Sequence, residues 1–162
     1  MDKVFNVRVY GILLNDEEEV LISDERTENV SFTKFPGGGL EYGEGLIDAL
    51  QREYEEECDF EIEVLRHIYS TDFYEKSSFN ESQIISIYYL VKTEAPLESL
   101  SLKSKAFDFS EPTLKESEVK EQAFRLVNIE SISEEEFTFK TDKVAWREFV
   151  NTLKKRTIET SL

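Results

Sequence analysis

Apolar residues form five runs along the chain that predict β-strands, because each run alternates or continues over a strand's length and ends in polar turn residues. In order, the runs are VFNVRVYGILL, EVLISDE, EIEVLRHIYST, SQIISIYYLVKT and QAFRLVNI. Two further segments predict amphipathic helices, because their apolar residues recur every three or four positions. Strands separated by two helices predict an α/β protein in which a mixed β-sheet is covered on both faces.

The first predicted helix spans Gly45–Cys58 and the second Asp142–Lys155. We expect Thr141 or Asp142 to cap the second helix, and the basic residues near its end to complement its dipole. The apolar stripes that define the two helices are Ile47, Leu50, Tyr54 and Cys58 in the first, and Val144, Ala145, Phe149, Val150 and Leu153 in the second.

Two segments show neither the strand period nor the helix period and are predicted to be irregular. KFPGGGLEYGEG is expected to be a loop that enters the first helix, because Pro36 restricts Phe35 and three consecutive glycines weaken regular structure. The polar segment ESLSLKSKAFDFSEPTLKESEVKEQ is expected to be a long loop or irregular hairpin. Since only one strand and one helix follow, residues 1–162 are predicted to form a single domain.

Composition narrows the classes of function. The chain has 35 acidic and 19 basic residues, a formal charge of −16, which opposes binding to nucleic acid or to an anionic membrane. Cys58 and His67 are the only residues of their types, so a Cys/His zinc site and an internal disulfide are excluded and any metal must be held by oxygen. The first residues contain neither a signal peptide nor an apolar span, which favours a cytoplasmic protein.

Four glutamates crowd the first predicted helix. At about 100° per residue, Glu53, Glu56 and Glu57 share one sector beside the apolar stripe, whereas Glu55 points elsewhere. Like charges at this spacing destabilise a helix by a few tenths of a kcal/mol per pair. A bound divalent cation would remove this repulsion. Helical spacing alone leaves two interpretations open, a solvated acidic face and a cation site.

The residues from 38 to 60 resemble the Nudix box, G-x5-E-x7-R-E-U-x-E-E-x-G-U, where U is an apolar residue. The chain departs only at Asp59, where the family has glycine. The resemblance to Nudix (MutT-like) hydrolases implies a Nudix-type α/β/α sandwich with a mixed β-sheet. The matching residues are Gly38, Glu44, Arg52, Glu53, Tyr54, Glu56, Glu57 and Phe60.

The resemblance also implies roles for these residues. Mg²⁺ or Mn²⁺ would be held by the carbonyl of Gly38 and the carboxylates of Glu53, Glu56 and Glu57. Arg52 would pair with a box glutamate and orient it. The implied reaction is metal-dependent hydrolysis of a pyrophosphate bond in a nucleoside diphosphate derivative, with a small-molecule nucleotide as substrate and with Glu53 or Glu57 accepting the proton of the attacking water.

Several alternatives remain open from the sequence. The general base lies either in the box or in the acidic loop that contains Glu116, Glu118 and Glu121. The chain is either an enzyme or a Nudix-fold nucleotide-binding or regulatory module without catalysis, and either a monomer or a homodimer. The basic residues Arg8, Arg26 and Lys34 could contact phosphates, but the favoured interpretation is that they keep strand edges soluble. Four aromatics could stack on a base, but the favoured interpretation is that they pack in the core: Phe32, Phe73, Tyr74 and Phe79.

Overall fold

The computed structural model of the protein describes residues 3–110 and 121–161. The strands are β1 (Phe5–Leu13), β2 (Glu19–Arg26), β3 (Ser31–Lys34), β4 (Gly37–Gly39), β5 (Glu63–Ser70), β6 (Gln83–Lys92) and β7 (Glu121–Asn128). The helices are α1 (Leu46–Cys58) and α2 (Lys140–Thr160), with short 3-10 turns at Leu97–Leu100 and Glu134–Glu136.

The strands form two sheets. The larger sheet has the order β4-β1-β6-β5, in which β1 and β6 are parallel and the other pairs antiparallel. The smaller sheet has the order β3-β2-β7 and is antiparallel throughout. The predicted mixed sheet is therefore confirmed, and the second sheet is an addition to the prediction.

Alternation along β1 separates two hydrophobic cores. Val9 and Leu13 join the core that contains Leu50 and Tyr54 of α1, whereas Ile12 joins the core built on α2. The side chains that fill the second core from α2 are Ala145, Trp146 and Phe149. Since successive strand residues face opposite sides, one helix lies on each side of the sheet and the predicted sandwich is confirmed.

The prediction that the glycine-rich segment is a loop is wrong for residues 37–39, which form β4. Gly37, Gly38 and Gly39 pair with Tyr10, Val9 and Arg8 of β1. Gly37 has φ of 146°, and a Cβ there would lie 2.1 Å from the Val9 carbonyl oxygen. Tertiary pairing thus creates a strand from residues with low strand propensity, at a position that a side chain would block.

The predicted start of the second helix is also wrong. Phe139 occupies the N-cap position without a side-chain cap, and Thr141 and Asp142 lie inside the helix and are buried. The helix ends at Thr160 rather than near Lys155. Ile47, which the apolar stripe of α1 predicts to be buried, is 46% exposed.

α1 ends at Cys58, and Asp59 occupies its C-cap position. This residue adopts the left-handed conformation, with φ of 59° and ψ of 35°, and its backbone N–H donates to the Glu55 carbonyl. A short polar side chain tolerates this conformation better than most, so the helix stops where the family has glycine. Within residues 3–110 and 121–161, neither helix is long and apolar enough to cross a membrane.

Candidate active site

Tyr54 fixes α1 against the larger sheet. Its ring is fully buried, and its hydroxyl donates to the Gly11 carbonyl at 3.1 Å. A Cβ on Gly11 would lie 2.6 Å from that hydroxyl, so the close contact requires glycine. The helix therefore presents the neighbouring residue Glu53 beside β4.

Glu53 packs directly on the glycine strand. A Cβ on Gly38 would lie 2.4 Å from Glu53 Cδ and 2.5 Å from each carboxylate oxygen. The Glu53 side chain is 14% exposed. The glycine at position 38 thus leaves the space that this carboxylate fills, which brings together two of the residues that the sequence predicts to hold a metal.

Arg52 organises the acidic cluster. Its Nη1 atom donates to Glu53 Oε1 at 2.9 Å and to Glu56 Oε2 at 3.3 Å. Its Nε and Nη2 atoms donate to the two oxygens of Glu44 at 3.0 and 2.6 Å, and Nη2 also donates to the Gly39 carbonyl. One guanidinium therefore fixes three carboxylates relative to β4 and offsets their repulsion.

These contacts shift the pKa of the groups involved. The hydrogen bonds from Arg52 lower the pKa of Glu44 to about 2. Hydrogen bonding to Glu44 raises the pKa of the Arg52 guanidinium, which stays charged at any physiological pH. Arg52 is therefore a permanent cation at the centre of the cluster.

Lys34 contacts β4, and its charge interacts with that of Glu57. Its ammonium forms an ion pair with Glu25 at 2.9 Å and donates to the carbonyls of Phe35 and Gly37 at 3.3 Å each. Burial lowers the pKa of this ammonium, but the charges of Glu25 and then Glu57 raise it by more than burial lowers it. The ammonium therefore stays protonated. Strand-edge solubility is thus the wrong interpretation of Lys34, which is only 5% exposed.

The donor set suits a hard divalent cation. Glu53, Glu56 and Glu57 present oxygen atoms from one face of α1, and the space over Gly38 admits the Glu53 carboxylate. In the part of the chain that the structure describes, however, no three acidic, Cys or His side chains are grouped closely enough to hold a metal. Arg52 lies between Glu53 and Glu56, so these carboxylates would turn from the guanidinium to bind a cation.

A cavity of about 240 Å³ lies on the α2 side of the larger sheet. Three phenylalanines at one end contact one another, with ring centroids 5.3 to 6.1 Å apart: Phe32, Phe79 and Phe139. Three cations, Arg8, Lys34 and Lys76, also line the cavity, and the first two touch β4. The cavity thus combines a surface for a flat ring with positive charge near the glycine strand.

Asp142 and Ser86 add hydrogen-bonding groups to the cavity wall. Tyr88 donates to Asp142 Oδ1 at 2.6 Å, and burial raises the pKa of Asp142 to about 7 although Tyr88 and Lys34 lower it. Ser86 is 1% exposed, and its hydroxyl has no hydrogen-bond partner among the described residues. From the sequence, Asp142 is expected only as a helix cap, although a charged residue on the stripe with Ala145, Trp146 and Phe149 is a signal for a buried polar group.

The other candidate residues lie apart from this cluster. Glu55 is exposed, as its position on the helix predicts. Glu121 begins β7 and forms an ion pair with Arg26, whereas Glu116 and Glu118 lie outside the described residues. Of the four aromatics considered from the sequence, Phe32 and Phe79 line the cavity and Phe73 and Tyr74 do not.

Comparison with known families gives the assignment. The model of the NUDIX domain matches residues 4–144 of the chain. The chain belongs to the Nudix family. The prediction of a Nudix-family hydrolase is thereby confirmed. No curated protein sequence matches the chain.

Solved structures share the fold at low sequence identity. The MutT protein from Methanosarcina mazei Go1 superposes with a TM-score of 0.69 at 18% identity, covering 95% of this chain and 99% of that one. A NUDIX hydrolase from Nitrosomonas europaea gives 0.63 at 15% identity, covering 91% and 89%. The MutT NUDIX hydrolase from Burkholderia pseudomallei gives 0.61 at 17% identity, covering 90% and 98%. At these identities the likeness concerns the fold.

Proposed function

We propose that this Nudix protein, acting as the single domain expected for residues 1–162, hydrolyses a pyrophosphate bond in a nucleoside diphosphate derivative with the help of Mg²⁺ or Mn²⁺. The observation that carries the proposal is the packing of Glu53 on Gly38, beside a cavity in which Arg8 and Lys34 touch the same strand. The cavity supports a nucleotide as substrate, because its aromatic end suits a base and its cationic end suits phosphates.

The proposed metal-holding groups are the Gly38 carbonyl and the carboxylates of Glu53, Glu56 and Glu57. A cation bound there supplies charge neutralisation for the diphosphate and acidifies the attacking water. The four-residue set consists of hard oxygen donors, which is the chemistry that Mg²⁺ prefers.

The remaining roles belong to side chains of the chain itself. Arg52 positions Glu53 and Glu56 through the hydrogen bonds from its Nη1 atom. A carboxylate oxygen of Glu53 or Glu57 accepts the proton of the water that attacks phosphorus. The cavity excludes water from the nucleobase and holds the nucleotide in one orientation.

A substrate panel tests the proposal. The purified protein is incubated with nucleoside triphosphates, nucleotide sugars and dinucleoside polyphosphates in Mg²⁺ or Mn²⁺, and the products are identified by ³¹P NMR. We expect cleavage of a phosphoanhydride bond in at least one compound, and none when the metal is chelated. Tight nucleotide binding without cleavage of any compound would instead support the binding-module alternative.

A further inference from the structure

Arg8 lies on the cavity side of β1. Its neighbour Val9 faces the core beneath α1, so the Arg8 side chain faces the other side of the sheet and lines the cavity. Its Nε atom donates to the Tyr10 hydroxyl at 2.6 Å, and its guanidinium carbon lies 5.7 Å from the centroid of the Tyr10 ring. Tyr10 is 7% exposed and stacks on Tyr88, so the guanidinium is held from one side by a rigid partner.

The outer edge of the Arg8 guanidinium is available for a ligand. Among residues 3–110 and 121–161, no carboxylate lies within ion-pair distance of Arg8, and neither Nη atom has a hydrogen-bond acceptor. The other cations around the site differ, because Lys34 pairs with Glu25 and Arg52 pairs with Glu44, Glu53 and Glu56. Arg8 therefore lacks the close ion-pair partner that Lys34 and Arg52 have, although the charges of Glu53 and Glu25 act on it at longer range.

The glycine strand places Arg8 beside the acidic cluster. Arg8 pairs in register with Gly39, and a Cβ on Gly39 would lie 3.7 Å from Arg8 Nη1. A Cβ on Gly38 would instead collide with the Glu53 carboxylate. Glu53 and Arg8 thus occupy the two sides of a strand that carries no side chains between them, and a flexible anion can pass across it.

We propose that Arg8 binds the phosphate chain of the nucleotide where it crosses from the cavity to the glutamates of α1. The inference rests on the proposed function, and it names the residue that recognises the anionic part of the substrate. A guanidinium offers two parallel N–H donors to a phosphate, which an ammonium cannot match. Lys34 does not take this role, because its donors are directed at Glu25 and at two backbone carbonyls.

The test compares binding of two probes in the presence of Mg²⁺. The first set is the four α,β-imido ribonucleoside triphosphates, which resist cleavage between the α and β phosphorus atoms, and the second is the four corresponding nucleosides. Calorimetry is performed on the wild type, Arg8→Gln, Arg8→Lys and the control Arg156→Gln, which removes one exposed cation at the far end of α2.

We expect Arg8→Gln to weaken binding of the tightest triphosphate analogue by about tenfold or more, since a charge-assisted hydrogen bond is lost. Binding of the nucleoside and the melting temperature should be unchanged, Arg8→Lys should give an intermediate affinity, and Arg156→Gln should resemble the wild type. The affinity of Arg8→Gln should also depend less steeply on salt.

Equal weakening of the nucleoside and the triphosphate analogue would overturn the inference, because Arg8 would then act on the shape of the cavity. Unchanged binding of the analogue, or binding of neither probe by the wild type, would also overturn it. A different result would contradict the proposed function alone: the wild type would bind the analogue with the help of Arg8 and yet cleave no natural nucleotide.

Discussion

The carboxylate of Glu53 lies so close to Gly38 that a single methyl group on the glycine would lie 2.4 Å from Glu53 Cδ. This contact links α1 to the glycine strand through the end of a flexible side chain. The strand can therefore be altered in a way that moves the carboxylate and leaves the core intact.

The first prediction concerns Gly38→Ala. Its backbone φ is accessible to alanine, so the added methyl displaces Glu53 rather than straining the chain. Displacement of a reacting group by about 1 Å costs up to about a hundredfold in rate, and we expect turnover to fall by at least about tenfold. The melting temperature should change little, as measured by differential scanning calorimetry.

Gly39→Ala is the matched control for this prediction. A Cβ on Gly39 meets only Arg8 Nη1 at 3.7 Å, which is an ordinary contact. Turnover should fall less than in Gly38→Ala, because the added methyl lies beside Arg8, on the proposed path of the phosphate chain, and does not displace Glu53. Equal losses in the two variants would mean that β4 needs glycine for its pairing and that the contact with Glu53 is incidental.

The second prediction concerns Mg²⁺ affinity without nucleotide. Glu56→Gln removes one of the proposed metal-holding carboxylates and should weaken Mg²⁺ binding by about tenfold or more in titration calorimetry. Glu55→Gln removes the same charge from an exposed position on the same helix and should bind Mg²⁺ as the wild type does. Matching affinities of the two variants would show that α1 attracts the cation only through its net charge.

The third prediction concerns the buried pair of Lys34 and Glu25. Lys34→Met leaves the Glu25 carboxylate, which is 2% exposed, without its ammonium partner. Breaking such a pair costs about 3–5 kcal/mol in the free energy of unfolding, measured by urea denaturation. The double variant Lys34→Met/Glu25→Gln should recover most of this loss, and a double variant as unstable as the single one would assign the loss to packing.

The fourth prediction follows from the raised pKa of Asp142, which burial brings to about 7. An unfolded aspartate titrates near pH 3.9, so the folded protein binds the Asp142 proton more tightly. The stability from this residue is complete below about pH 4 and is lost as pH rises through 7. Asp142→Asn, which is neutral throughout, should therefore gain stability relative to the wild type between pH 4 and 7, by a few kcal/mol at most.

Thermal unfolding of Asp142→Asn and the wild type across this range measures the difference. The hydrogen bond from Tyr88 reaches Oδ1, an acceptor that asparagine retains, so the comparison isolates the charge. A difference in melting temperature that is the same at pH 5 and pH 8 would mean that Asp142 titrates as an ordinary aspartate.

The fifth prediction concerns Asp59, which holds the left-handed conformation at the end of α1. Glycine adopts this conformation without steric cost, so Asp59→Gly should be neutral or stabilising by about 1 kcal/mol, with turnover kept. A large loss of turnover at an unchanged melting temperature would indicate that Asp59 takes part in the reaction.

The sequence predicts what local patterns encode. β1, β2, β5, β6 and β7 follow from apolar runs, and α1 follows from its helical spacing. The four residues of β3 are too few to show a period, and the glycines of β4 have no strand propensity. These two strands exist because β1 and β2 pair with them, which is information that a local pattern does not contain.

The site was predictable to a similar degree. The Nudix box gives the residues on α1. The cavity, however, is assembled from β1, β2, β3, β6, residues 75–80 and the start of α2, whose side chains meet only in the folded protein. The roles of Arg8 and Lys34 differ for this reason. On the sequence both are basic strand residues, whereas in the fold one has a buried counter-ion and the other lines the cavity without one.

The central claim is that the glutamates of α1 support metal-dependent cleavage of a nucleotide pyrophosphate bond, and turnover of the Glu57→Gln variant tests it most directly. Rates are measured by ³¹P NMR on the best substrate of the wild type, with Mg²⁺ and with a chelator. The account predicts cleavage by the wild type only with Mg²⁺, and a loss of at least about a hundredfold in Glu57→Gln at an unchanged melting temperature. Cleavage that survives the chelator, or that proceeds equally fast in Glu57→Gln, would contradict it.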